Sequence, residues 1–192
     1  MNSPGRNCAV TLAFALLLAP GALAQSDKLN LTPVDSAFEL DGVKLKITRF
    51  YSEASFVEYS PPWPIAGSPE IARMPVPGMD AQADIQRVQT AVPLDLTNDE
   101  AVKKFVTGRL PKEAEDVEVA QVERDALKIN NKPTVEVTLD YVIGGRRLEL
   151  STLLVQRSPG DTVYLFSLSA NPANFQKLRQ LFRRSLYSIT EF

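Results

Sequence analysis

The feature that most constrains the fold is a run of strict alternation. Val135, Val137, Leu139 and Tyr141 alternate with Thr134, Glu136, Thr138 and Asp140, and the run stops at Gly144-Gly145. Period two is the repeat of a strand, and two consecutive glycines supply the positive φ angles of a two-residue hairpin turn. Leu148 to Arg157 answers as a second strand. Ser158-Pro159-Gly160-Asp161 then turns the chain into a third, Val163 to Ala170. A strand beginning near Val117, with Asn130-Asn131 before the next, makes this a four-stranded antiparallel meander.

Helices flank the meander. Thr97-Asn98-Asp99-Glu100 fits a capping box with Thr97 as the cap, ahead of Ala101, Val102, Phe105 and Val106, and Pro111 lies beyond the end near Gly108. Asn171 caps a closing helix with Pro172 at its first position. Phe175, Leu178, Leu181, Phe182 and Leu186 form its apolar stripe.

Nearer the N-terminus, Phe38 to Leu40 and Val43 to Ile47 flank Asp41-Gly42, a strong hairpin signal. Phe50 to Tyr59 reads as an extended continuation. Prolines 61, 62, 64, 69, 75 and 77, with Gly67 and Gly78, mark roughly 60 to 80 as a surface loop, because proline cannot donate to a ladder. Ile85 to Leu94 reads as a strand. The expected class is α+β, an antiparallel sheet built from the N-terminal hairpin and the C-terminal meander and covered by helices.

Residues 1 to 24 read as a cleavable signal peptide. Arg6 precedes an apolar run from Ala9 to Ala19, Pro20-Gly21 follows, and Ala22-Leu23-Ala24 has the small-x-small form of a cleavage site ahead of Gln25. The run falls short of the roughly 20 apolar residues of a membrane span. The expectation is an exported protein, periplasmic or secreted, with no anchor after cleavage and one domain over 25–192.

Composition narrows the chemistry. The chain has no histidine, and its only cysteine, Cys8, lies in the leader. This removes Ser-His-Asp and Cys-His catalysis, thiol redox work and Cys/His zinc sites. No calcium-loop, P-loop or dinucleotide motif is present, so no cofactor and no metal are expected. The net charge of −2 provides no basic excess for nucleic acid. Glu113, Glu115, Asp116 and Glu118 are the candidates for a carboxylate-based hydrolase or an oxygen-ligated metal, and they read more simply as a solvated connection. Asn30-Leu31-Thr32 is a glycosylation sequon whose use depends on the host.

The capped helix at 98–108, the meander through Thr134-Val135-Glu136-Val137, Gly144-Gly145-Arg146-Arg147 and Asp161 to Leu165, and the ending Phe182 to Ile189 resemble the PsbP-like α/β/α sandwich superfamily, small exported bacterial members included. The resemblance implies a non-catalytic domain that docks onto a larger partner. It carries over no functional residue. The candidates for the contact are amphipathic side chains: Tyr51, Tyr59 and Trp63 around the proline-rich segment, and the pair Arg146 and Arg147. The first reading is therefore an accessory module that binds another envelope or secreted protein. The alternative is a small-ligand or lipid carrier with a cavity between sheet and helix.

Overall fold

The computed structural model describes residues 26–27, 31–40, 42–52, 58–68, 71–129, 131–156 and 160–189. The leader, the cleavage site at Ala22, Ala24 and Gln25, and Asn30 lie outside them.

Alternation and turn chemistry shape the meander as expected. It consists of β8 (Glu115–Arg124), β9 (Thr134–Ile143), β10 (Arg146–Gln156) and β11 (Thr162–Ala170). Gly144 and Gly145 have φ of +55° and +74°, the left-handed pair that lets Ile143 sit opposite Arg146. The main sheet then extends from β11 through β7 (Ala81–Gln89) to β6 (Ile71–Pro75) and β5 (Ala66–Ser68), with the order β5-β6-β7-β11-β10-β9-β8. The two-residue β1 (Ser26–Asp27) pairs with the end of β7. Every pairing is antiparallel.

Helix α2 (Pro172–Leu186) packs on β10 and β11, and α1 (Asp99–Thr107) on β8 and β9. The two helices lie on opposite faces. Along β11, Tyr164, Phe166 and Leu168 join the core under α2, while Val163 and Leu165 join the core under α1. The result is the α+β architecture expected from the sequence, a helix-covered antiparallel sheet.

Five expectations need correction. The N-terminal hairpin does form, β2 (Leu31–Leu40) pairing with β3 (Val43–Ser52), but with β4 (Glu58–Tyr59) it makes a separate three-stranded sheet. Hairpin chemistry fixes a pair of strands and leaves their neighbours open. Much of the expected loop at 60–80 is strand: Ala72, Met74 and Val76 are buried because β6 pairs with β7, and Pro75 is tolerated at the strand's end. The cap of α1 is Asn98, whose Oδ1 accepts from the Ala101 backbone N–H at 3.1 Å, while the Thr97 hydroxyl donates to Asp95. The acidic connection is the start of edge strand β8, where Asp116 at φ +49° marks an irregularity in register that discourages further pairing. In α2, Phe175, Leu178, Phe182 and Leu186 are buried, but Leu181 is 45% exposed, on the margin of the stripe.

Candidate functional site

Register explains where the sheet is left open. One row of cross-strand neighbours on the α1 face runs Arg73, Asp84, Ser167, Thr152, Val137, Val122 from β6 to β8. The two valines lie in strands that α1 covers. Where the helix cover ends the row turns polar. The next row repeats the pattern: Gln82, Ser169, Leu150, Leu139, Val119. Strand propensity opposes the switch at Asp84, since aspartate is depleted in strands.

Above these rows lies a groove of about 470 Å³ between the C-terminal end of α1 and the β6–β7 turn. Val106, Arg109, Leu110 and Pro111 form one wall, and Met79, Asp80 and Ala81 the other. The floor carries Gln82, Asp84, Gln86, Thr152, Ser167 and Ser169, and aliphatic surface from Leu148, Leu150 and Leu165 closes it on the meander side.

The polar groups of the floor are tied to one another. Thr152 and Ser167 share a hydrogen bond of 3.0 Å, and the Tyr141 hydroxyl meets Ser169 Oγ at 2.8 Å. Gln82 Nε2 donates to both oxygens of Asp84, at 2.9 and 3.1 Å, and Arg73 Nε lies 3.9 Å from Oδ1. Burial pushes the Asp84 carboxyl above its ordinary value, and the Gln82 hydrogen bond and the Arg73 charge offset this only in part. Asp80 on the rim takes an ion pair from Arg146 Nη1 at 2.7 Å. Arg109 donates to the Phe105 carbonyl at 2.9 Å with its guanidinium 3.6 Å above the Phe105 ring.

The residues singled out from sequence do not converge on one surface. Tyr59 is fully buried, its hydroxyl 2.9 Å from Ser185 Oγ on α2, and Trp63 is 8% exposed and stacks on Phe182 at 6.3 Å. Neither ring is available for a partner: Tyr59 pins β4 and Trp63 the segment after it onto α2, because burying a large aromatic is favoured over leaving it in water. Tyr51 lies in β3, opposite Glu58. Arg146 and Arg147 are exposed at the start of β10, and Arg147 pairs with Asp140 at 2.5 Å. Arg146 reaches the groove rim through Asp80. Among the described residues no group of three acidic or other ligating side chains could hold a metal, and none of the acidic residues 113–118 lines the groove.

Single-sequence reading missed Asp84, Ser167 and Thr152. The one available signal was the intrusion of Ser167 and Ser169 among the large apolar residues of β11.

No protein-family model and no curated protein matches the sequence. Among solved structures, the chain is similar to PA94 of Pseudomonas aeruginosa, a protein of unknown function, at 17% identity over 81% of this chain and 96% of that one, TM-score 0.43. It is also similar to the Saccharomyces cerevisiae Ran-binding protein Mog1p, at 11% identity over 83% and 96%, TM-score 0.48. The cyanobacterial PsbP of Synechocystis matches at 11% identity over 82% of each chain, TM-score 0.40. Likeness at these values assigns no residue and no partner.

Proposed function

We propose that the protein is a non-catalytic binding module, exported to the cell envelope, that acts by docking a protein partner at the groove beside α1. The observation that carries this reading is the switch within single cross-strand rows from Val122 and Val137 under the helix to Thr152, Ser167, Asp84 and Arg73 beyond it. A preformed concavity that combines aliphatic surface with a few convergent polar groups is a usual form of a binding site. Of its carboxylates, Asp80 is held by Arg146 and Asp84 accepts from the neutral amide of Gln82.

The test is capture from the native host after mild crosslinking, comparing wild type with Ser167→Tyr, which fills the groove, and Leu181→Gln, which alters an exposed position on α2, on the opposite face of the sheet. A partner lost from the first variant and kept by the second supports the reading. Equal capture by all three overturns it. Export is tested on the same material, since N-terminal sequencing of the envelope form should begin at Gln25 and an intact Met1 would exclude cleavage.

A second reading, a carrier of a small ligand, is favoured by the volume of the groove, about 470 Å³, which lies in the range of roughly 300 to 1,000 Å³ of small-molecule sites. Native mass spectrometry of protein purified from its host should then show a co-purifying mass that Ser167→Tyr abolishes.

A further inference from the structure

The polar row leaves one charge poorly balanced. The side chain of Asp84 is 22% exposed and receives its two close hydrogen bonds from a neutral amide, Gln82. The ion pair it makes among the described residues is with Arg73 at 3.9 Å, the limit of such contacts, and the Arg73 side chain is 56% exposed. The other ionic side chains around the groove are occupied, Asp80 by Arg146 and Arg109 by the ring and carbonyl of Phe105. Glu136 on the opposite face shows the contrast, with a hydroxyl and two guanidinium groups around it. A partly desolvated carboxylate without a close cation is short of interaction energy.

Its neighbours narrow what would supply that energy. Ser167 lies directly opposite Asp84 in register, and Ser169 one step further along the same face. A carboxylate and two hydroxyls provide acceptors for the three N–H donors of a primary ammonium, which is compact and rotatable, whereas a guanidinium prefers a planar fork of acceptors. Leu148, Leu150 and Leu165 offer aliphatic surface beside this cluster, which fits the methylene stem of a lysine.

Resting on the reading of the groove as a partner site, we infer that the partner inserts a lysine side chain there, its ammonium on Asp84 and its stem along Leu148, Leu150 and Leu165. Arg73 then swings out to solvent, which its exposure allows.

Amide NMR of the isotopically labelled protein tests this with a capped pentapeptide carrying one lysine between glycines. Saturable shifts are expected at residues 82–86 and 165–169. The same peptide with norleucine, which keeps the stem and lacks the charge, should bind at least roughly tenfold more weakly, as should the lysine peptide to Asp84→Asn. Arg73→Gln removes a competing cation from an exposed site and should tighten lysine binding several-fold, a gain that a damaged fold would not produce. Equal binding of the norleucine peptide, tighter binding of the same peptide with arginine in place of lysine, weaker binding by Arg73→Gln, or no shift at those residues would each overturn the inference. Saturation of the same amides by spermidine at lower concentration would overturn it in favour of a free polyamine. Partner capture by Ser167→Tyr judges the docking reading separately, so its failure is distinguishable from that of the lysine assignment.

Discussion

Glu136 is the charged side chain among the buried polar groups of the described residues. It is 1% exposed, accepts from Ser151 Oγ at 2.5 Å and Arg179 Nε at 2.8 Å, and lies 3.3 Å from Arg183 Nη1. Burial alone would raise its carboxyl. The hydrogen bonds from Arg179 and Ser151 and the charges of Arg179 and Arg183 outweigh it and hold the group below its ordinary value. Glu123, 3.8 Å from Arg179, adds to the network. Glu136→Gln leaves two arginines short of their counter-charge and should cost about 3 kcal/mol at neutral pH. The sign of the pH dependence follows from the lowered value. The stabilisation is complete above the unfolded carboxyl value of about 4.3 and is lost as pH falls through the lower folded value. Urea denaturation at pH 7, 5 and 3 should show the gap between wild type and variant narrowing only at the acid end. Tyr59 is a simpler case. Burial pushes its phenol well above the ordinary range, against the smaller effect of the Ser185 hydrogen bond, so it stays neutral. Tyr59→Phe should cost about 1 kcal/mol, the value of one such bond, by the same measurement.

At the scale of elements, the ends of helices and turns decide local stability. Asn98 Oδ1 and Asn171 Oδ1 each accept from a backbone N–H at 3.1 Å, and replacing either with alanine should cost about 1 kcal/mol. Asn98→Ala carries a second consequence, since α1 supplies a wall of the groove. Its fraying should weaken partner capture, whereas Asn171→Ala should leave capture intact at temperatures well below the midpoint of thermal unfolding. Gly145 at φ +74° has open space where a Cβ would sit, so Gly145→Ala tests conformation alone. A loss of roughly 1 to 2 kcal/mol is expected from the left-handed backbone.

Across the whole molecule, the two sheets differ in support. Strands β7, β9, β10 and β11 pair on both sides within the main sheet, and residues of each belong to the buried cores. The second sheet has three strands, one of them the two-residue β4, and within it β3 alone pairs on both sides. A sheet so small is marginal in water without further support. Native-state hydrogen exchange should therefore find the highest protection in β10 and β11 and markedly lower protection in β2 and β3. Equal protection in both sheets would mean that the smaller sheet is held by contacts stronger than those seen. The two covered faces are also closed differently: the α2 face by aromatics and an ion cluster, whereas the α1 face is left half open over Asp84 and Ser167.

The sequence by itself determined what is local. Alternation in β9, the glycine turn after it, Asn171 with Pro172, and the hairpin at Gly42 act over a few residues, and each was legible because turn chemistry and side-chain period need no partner from elsewhere. The tertiary structure decided what depends on register. Arg73, Asp84, Thr152 and Ser167 come from four strands, and only the pairing of β6, β7, β11 and β10 sets them in one row. Glu136 belongs to the polar set of an alternating strand, yet both faces of that sheet are covered, so the polar side is also buried there. The proline-rich segment became β6 because β7 offered it a ladder. Strand pairing is non-local, and a chain of this composition states which residues can form strands without stating which strands will meet.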